Sequence, residues 1–124
     1  MEQIVVVDTN ALVSVFERGI NLDAELSALL GVHSVVVPTS VLDELRRLKK
    51  KEARMALEMS SKYRTFQSER RGDDAILEAA RETGSFAVVT NDARLASELV
   101  SHGFRVVSIR GGKRLDYRRS DDAL

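Results

Sequence analysis

Short runs of β-branched residues alternate with amphipathic stretches along this chain. Runs rich in valine predict buried strands at residues 3–7, 34–37, 86–90 and 105–109. Helical periodicity bounded by glycines predicts helices at residues 10–18, 22–30, 73–83 and 93–101. After Pro38, a further helix carries Val41, Leu45 and Leu48 on one stripe, and the helical pattern continues to about residue 69 with a break near residues 50–51.

This order of elements predicts an α/β fold. Strands that alternate with helices form a parallel sheet covered by helices on both sides, which gives three α/β/α layers. We expect about four to five mostly parallel strands, of which the last is a short edge strand near residues 114–117. One domain should span residues 1–110, and residues 111–124 should hold the edge strand and a polar C-terminal tail. Ligands bind such sheets at the carboxyl ends of the strands.

Composition narrows the class of protein. At 124 residues, with 44% hydrophobic and 31% charged side chains, the chain has the make-up of one globular domain. The absence of cysteine excludes disulfides, thiolate zinc sites and cysteine nucleophiles, and it is compatible with a reducing compartment. No apolar run approaches the roughly 20 residues that cross a bilayer. We therefore expect a cytoplasmic protein that does not contact a membrane.

Two aspartates follow predicted strands. Asp8 comes directly after VVV and Asp92 comes after VVTN, so each lies where a buried strand meets a helix. Because the carboxyl ends of parallel strands share one edge of the sheet, both side chains should face the same crevice. The alternative for Asp8 is that it serves only as a helix N-cap. The neighbours that could orient these carboxylates or a metal-bound water are Thr9, Asn10, Thr90 and Asn91.

Helical positions supply further acids. Glu44 borders the apolar stripe of its helix, whereas Asp43 points toward Arg46 and away from that stripe. The alternative for Glu44 is a partly buried acid paired with an arginine. Asp73 and Asp74 open a helix, where the helix dipole favours acids by roughly 0.3–1 kcal/mol. We expect one of them to cap the helix and the other to face the crevice, and the spacing leaves open which one does so.

Carboxylates gathered in one crevice repel each other unless a divalent cation neutralises them. The pattern therefore predicts a metal-dependent enzyme. The charge distribution adds a substrate class, since residues 46–71 hold ten basic and three acidic residues although the whole chain has 19 of each. A basic segment beside an acidic pocket suits a phosphodiester substrate held by its backbone, and the alternative is a solvated helical face. The predicted phosphate contacts are Arg46, Arg47, Lys49, Lys50, Lys51 and Arg54.

Four segments resemble, in order, the PIN-domain family of metal-dependent nucleases: VVVDTNAL, VLDELRRL, DDAILEAA and FAVVTNDARLASELVSHGFRVVSI. The resemblance covers nearly the whole chain and places the family's catalytic, metal-binding acids at Asp8, Glu44, Asp74 and Asp92. The third assignment follows the match of DAIL to the family's pattern, and Asp73 is the alternate third acid. The TND form of the last motif and the Asp-Asp pair are more similar to the branch that processes ribosomal RNA than to toxin ribonucleases.

The resemblance implies a Rossmann-like sheet, Mg²⁺ or Mn²⁺ as cofactor and single-stranded RNA as substrate. The implied activity is that of an endoribonuclease in rRNA processing or RNA turnover. Water activated by the cation attacks the phosphorus in line and leaves a 5′-phosphate and a 3′-hydroxyl. The basic residues of segment 46–71 would then bind RNA. The resemblance also implies a homodimer and, depending on the branch, a ribosome-assembly protein or an antitoxin as partner.

Other classes of protein fit these residues less well. A receiver domain requires an acidic pair after its first strand, and a haloacid-dehalogenase-type phosphatase requires Asp-x-Asp there, whereas this chain has Asp-Thr-Asn at residues 8–10. Dinucleotide binding requires a glycine-rich first turn, which the sequence lacks. The remaining alternative is a PIN-like module that binds RNA or a protein without cleaving.

Overall fold

The computed structural model describes residues 2–118, and the predicted alternation of strands and helices is confirmed in it. The strands are β1 (Gln3–Val7), β2 (His33–Pro38), β3 (Arg64–Phe66), β4 (Ala87–Val89), β5 (Arg105–Arg110) and β6 (Arg114–Tyr117). The helices are α1 (Thr9–Glu17), α2 (Leu22–Leu30), α3 (Thr39–Arg47), α4 (Lys51–Ser60), α5 (Gly72–Thr83) and α6 (Ala93–Ser101). The bounds of β1, α2, α6 and β6 are those predicted from the sequence.

All these strands form one sheet in the order β3-β2-β1-β4-β5-β6. The first five are parallel to their neighbours, and β6 runs antiparallel to β5 at the edge. The mixed, mostly parallel α/β architecture is therefore confirmed. The six strands of the sheet exceed the predicted four to five, because the segment between the second and third predicted strands contains a strand of its own.

That additional strand corrects the sequence prediction. The helical pattern was expected to continue to about residue 69, but α4 ends at Ser60 and Arg64–Phe66 pairs with β2. An edge strand of three residues, two of them exposed, has no apolar alternation that a sequence pattern could reveal. Its formation depends on the free edge of β2, which is a tertiary effect.

The central strands are the most buried part of the protein. Val5, Val6 and Val7 of β1 are inaccessible to solvent, as are the three residues of β4. Continuous apolar runs of this kind form strands that are covered on both faces. Here α5 packs on β1 and β2, α6 packs on β5, and α2 and α3 pack on β2. The stripe of α3 buries Val41 and Leu45. This packing holds the carboxyl ends of β1 and β4 in fixed positions.

The chain reverses its direction of winding at β1. From β1 it crosses to β2 and then β3 on one side, and it returns to place β4, β5 and β6 on the other. The crevice between β1 and β4 at their carboxyl ends is thus a topological switch point, the usual ligand site of such sheets. The predicted polar tail beyond β6 lies, apart from Arg118, outside the described residues. Among residues 2–118, none of the helices has the length and apolar character needed to cross a membrane.

Candidate active site

Asp8 lies directly after β1 and is buried, with 7% of its surface exposed. Its backbone is extended, and its Oδ1 accepts a hydrogen bond of 2.8 Å from the Ala11 amide, so it caps α1. Its Oδ2 accepts a hydrogen bond from the hydroxyl of Thr90, at the end of β4. Capping and exposure to the crevice were posed as alternatives for this residue, and the structure combines them.

Thr90 joins the two strand-end aspartates. Besides donating to Asp8, its Oγ1 accepts a 3.0 Å hydrogen bond from the amide of Asp92. Asp92 in turn caps α6, since its Oδ1 accepts from the Leu95 amide at 3.0 Å. Thr90 is itself inaccessible to solvent, and its carbonyl accepts from the Ser108 hydroxyl at 2.6 Å. One buried threonine therefore fixes the relative positions of both carboxylate-bearing segments.

A small cleft opens where these segments meet α3 and α5. Its cavity volume is about 70 Å³, and its lining residues are Asp8, Thr9, Asn10, Glu44, Gly72, Asp73, Ile76 and Asp92. The cleft thus contains the predicted acids from the first, second and fourth motifs. The Thr9 hydroxyl at its wall is buried and has no hydrogen-bond partner among the described residues. An unpaired buried hydroxyl is costly and is a sign that a further group completes its hydrogen bonding.

The third motif contributes Asp73 to the cleft. The structure begins α5 at Gly72 with Arg71 in the N-cap position and with no side-chain cap, so the prediction that one of the two aspartates caps this helix is wrong. Both aspartates lie in the first helical turn, and because successive residues of a helix point about 100° apart, the two side chains leave the helix in different directions. Asp73 lines the cleft, whereas Asp74, the first choice from the resemblance, does not.

The carboxylates of the cleft influence each other electrostatically. Burial is the main reason why the pKa of Asp8 is raised from 3.8 to about 6, and the charges of Asp92 and Asp73 raise it further against the opposing hydrogen bonds from Thr90 and Ala11. The pKa of Asp73 is also raised, first by burial and then by the charge of Asp92. The smaller part of each pKa shift, which comes from neighbouring carboxylates, indicates negative potential in the cleft, since like charges nearby favour protonation.

The donors of the cleft suit a hard cation. They are carboxylate, hydroxyl and amide oxygens, the ligands that Mg²⁺ and Mn²⁺ prefer. The chemistry of the donor set and the unpaired Thr9 hydroxyl therefore fit a divalent ion. As the side chains stand, no three His, Asp or Glu residues within 2–118 are close enough to hold an ion together. Binding of an ion by three of these acids would therefore require side chains of the cleft to adopt other rotamers.

Asn91 occupies a different position from the one predicted. Its Oδ1 accepts from the Ile109 amide at 2.8 Å and its Nδ2 donates to the Ile109 carbonyl at 3.3 Å. The side chain thereby extends the pairing of β4 with β5 and does not line the cleft. Asn10 does line the cleft and is exposed there. The sequence alone could not distinguish the roles of the two asparagines, because each lies within two positions of an aspartate.

The basic segment divides into residues near the cleft and residues away from it. A groove of about 570 Å³ adjoins the cleft through Glu44 and Gly72, and of the predicted phosphate contacts it is lined by Arg46 and Arg47. Lys50 instead forms an ion pair of 2.8 Å with Glu17. The predicted residues that do not line this groove are Lys49, Lys50, Lys51 and Arg54.

Two further arginines, Arg70 and Arg71, line this groove. They belong to the basic segment 46–71 but are not among the six predicted phosphate contacts named above. Their position directly before the Gly-Asp-Asp motif is the signal that could have identified them. The predicted pairing of Asp43 with Arg46 is confirmed at 2.9 Å, which leaves Glu44 as the acid of α3 that reaches the cleft.

Comparison with known proteins agrees with this geometry. A family model described as a PIN-like domain matches residues 5–112. The chain is 30% identical to ribonuclease VapC4 of Methanocaldococcus jannaschii, over 88% of this chain and 92% of that protein. It is 29% identical to ribonuclease VapC9 of Archaeoglobus fulgidus, over 89% of this chain and 85% of that protein.

A solved structure shares the fold. The PIN domain endonuclease Utp24 superposes with a TM-score of 0.81 at 23% identity, covering 98% of this chain and 95% of that one. Switch-point topology, acids from four separate motifs in one cleft and a family match over most of the length agree with one another. The chain belongs to the PIN-like domain family.

Proposed function

We propose that this protein is a divalent-metal-dependent endoribonuclease that hydrolyses phosphodiester bonds of single-stranded RNA. The observation that carries the proposal is the convergence of Asp8, Glu44, Asp73 and Asp92 on one cleft at the switch point of the sheet. Acids with raised pKa in a cleft are candidates for catalytic function. The curated relatives described above are both named ribonucleases, which supports RNA as the substrate.

The four acids of the cleft would hold Mg²⁺ or Mn²⁺. Asp8 and Asp92 supply fixed oxygens from the ends of the strands, and Asp73 and Glu44 supply oxygens from helices. Asp74, which does not line the cleft, is the less favoured third acid. When bound, the cation supplies Lewis-acid activation of water and neutralises charge on the phosphate.

The residues of the chain perform the remaining tasks. Thr90 keeps the Asp8 carboxylate turned toward the cleft and fixes the Asp92 backbone, so that both acids are positioned before substrate binds. The buried Thr9 hydroxyl at the wall and the exposed Asn10 are placed to hydrogen-bond a water or a non-bridging phosphate oxygen. Hydrolysis in this arrangement leaves a 5′-phosphate and a 3′-hydroxyl.

The cellular role that we propose is ribosomal RNA processing in the cytoplasm, supported by the TND and Asp-Asp motifs. The two ribonuclease VapC relatives also fit the alternative, a toxin ribonuclease. Mapping of 5′-phosphate RNA ends after expression of the wild type and of the Asp8→Asn variant separates the two. New ends confined to ribosomal precursors would favour processing, whereas growth arrest with ends in other RNAs would favour the toxin role. The proposal also includes a homodimer and a partner protein. Size measurement of the purified protein tests the homodimer.

Cleavage of a labelled single-stranded RNA with Mn²⁺ tests the proposed activity. We expect the wild type to produce fragments with 5′-phosphates, and we expect EDTA, Asp8→Asn or Asp92→Asn to abolish them. Equal activity in the wild type and both variants would identify a contaminating nuclease. RNA binding without any cleavage would favour a non-cleaving module.

A further inference from the structure

Two separate parts of the chain form the walls of the groove beside the acidic cleft. One wall is α3, which contributes Arg46 and Arg47, and the other is segment 67–71, which connects β3 to α5 and contributes Arg70 and Arg71. Its cavity volume of about 570 Å³ is some eight times that of the cleft with which it shares Glu44 and Gly72. The groove therefore begins where the candidate catalytic acids end.

Segment 67–71 is held in place by hydrogen bonds to the two flanking helices. The Ser68 amide donates to the Thr39 hydroxyl at 2.9 Å, and the Ser40 amide donates to the Ser68 hydroxyl at 3.4 Å. From the other side, the Glu78 carboxylate accepts from the amides of Glu69 at 3.1 Å and Arg70 at 3.2 Å. This wall of the groove is thus preorganised although it contains no regular secondary structure.

The turn out of this segment depends on glycine. Gly72 adopts a φ of +59°, in the left-handed region that other residues avoid, and the next residue is Asp73 of the cleft. The same turn therefore sets the direction of Arg70 and Arg71 on one side and of a candidate metal ligand on the other. A phosphate chain that follows the groove would be led to the cleft.

The arginines of the groove are available for a ligand. Arg47, Arg70 and Arg71 are exposed, and none of their guanidinium groups makes a hydrogen bond or ion pair with the part of the chain that the structure describes. The Ser40 hydroxyl of the same groove is buried and lacks a hydrogen-bond partner within residues 2–118. The groove is also lined by three carboxylates, of which Asp43 is paired with Arg46, so the unpaired guanidinium groups are the ones left to bind an anion. Guanidinium groups match phosphate geometry well.

We propose that this groove binds the phosphate backbone of single-stranded RNA on one side of the scissile phosphate, through Arg70 and Arg71 opposite Arg47. The proposal rests on the proposed function and adds the path of the substrate to it. A groove of this size accommodates about one or two nucleotides, the scale of a small-molecule pocket, whereas a duplex would contact only its rim. No aromatic residue is found among its described lining residues, so contact is with phosphates and is tolerant of base sequence.

Binding and cleavage measured in parallel test the proposal. Fluorescence anisotropy with a labelled RNA of about 12 nucleotides in EDTA compares the wild type with Arg70→Ala/Arg71→Ala. The matched control is Arg81→Ala/Arg114→Ala, which removes two exposed arginines that lie outside both the groove and the basic segment 46–71 and changes the net charge equally. We expect about tenfold weaker binding for the groove variant, a slope of log affinity against log salt that is smaller by about 1.4, and little change for the control.

A conservative variant, thermal unfolding and cleavage kinetics distinguish the possible outcomes. Arg70→Lys/Arg71→Lys should restore most of the affinity, since a point charge still attracts phosphate, and thermal unfolding of every variant checks its fold. In Mn²⁺-dependent cleavage, the groove variant should raise KM with kcat within about twofold. Unchanged binding by the groove variant, or equal weakening in the control, would overturn the groove assignment while wild-type cleavage persists. Absence of cleavage by the wild type would instead overturn the proposed function.

Discussion

The two halves of the acidic cleft are built differently. Asp8 and Asp92 each cap a helix and are connected through Thr90, so their backbone and side-chain positions are fixed by four hydrogen bonds. Glu44 and Asp73 stand on helices, and their carboxylates make no hydrogen bond or ion pair within the described residues. The fold thus preorganises half of the site and leaves the other half able to adapt to a cation. Removing the fixed acids should therefore have larger effects than removing the adaptable ones.

The largest effect is expected for Asp8→Asn or Asp92→Asn. Asparagine can still cap a helix, so the fold should persist, but the charge that attracts the cation is lost. We expect kcat to fall about a thousandfold, corresponding to several kcal/mol of transition-state stabilisation. Steady-state cleavage of RNA at saturating Mn²⁺ measures this. Asp116→Asn, an exposed position in β6, is the matched control and should retain wild-type activity.

Asp8→Asn should lower activity but should raise the stability of the metal-free protein. In the absence of metal, the folded protein holds Asp8 protonated up to a pKa of about 6, whereas the unfolded chain releases the proton near 3.8. Wild-type stability therefore decreases as pH rises between these values and keeps the deficit above them. Asp8→Asn avoids this loss, and its free energy of unfolding should gain up to about 3 kcal/mol relative to the wild type by about pH 8.

Urea unfolding of both proteins in EDTA between about pH 4 and about pH 8 checks this expectation. A stability difference that stays constant with pH would show that the pKa of Asp8 is not raised in the folded protein. Added Mn²⁺ should reverse the order of stability, because a ligand that binds only the folded wild type stabilises it. The control at Asp116 should show no comparable pH dependence.

The fixed half of the cleft could be predicted from the sequence, whereas the adaptable half could be predicted only in part. Asp8 and Asp92 could be assigned from the sequence because a buried valine run ending in a polar residue defines both the strand end and the direction of the side chain. The choice between Asp73 and Asp74 depended on where α5 begins, and Arg71, Gly72 and either aspartate are plausible starts for a helix. Likewise, β3 and segment 67–71 owe their positions to hydrogen bonds with residues about 28 or more positions earlier, such as Ser40 and Thr39, which no local pattern encodes.

A smaller effect is expected from Thr90→Val, which removes the link between the fixed acids but keeps the volume. Since the hydroxyl acts through Asp8 and Asp92, the variant should bind Mn²⁺ about 10- to 100-fold more weakly, the usual cost of losing a group that orients ligands. Titration of activity against Mn²⁺ measures the change. Thr90→Ser should recover most of the affinity, and failure of serine to do so would assign the effect to packing.

The smallest effect is expected in the adaptable half. Asp73→Asn should lower activity about tenfold, because the carboxylate is exposed and its loss can be partly compensated by water, whereas Asp74→Asn should change it less than twofold. These neighbouring substitutions remove the same charge from the same helical turn, so electrostatics at long range is matched. A larger loss at Asp74 would show that the first turn of α5 is rotated and would restore the original assignment of the third acid.

Anomalous scattering from crystals grown with Mn²⁺ tests the central claim most directly. We expect a peak in the cleft within about 2.0–2.6 Å of carboxylate oxygens of Asp8 and Asp92, with the Asp73 side chain turned toward it. A cleft without a peak at Mn²⁺ concentrations that support cleavage, or a peak on another surface of the protein, would contradict the account.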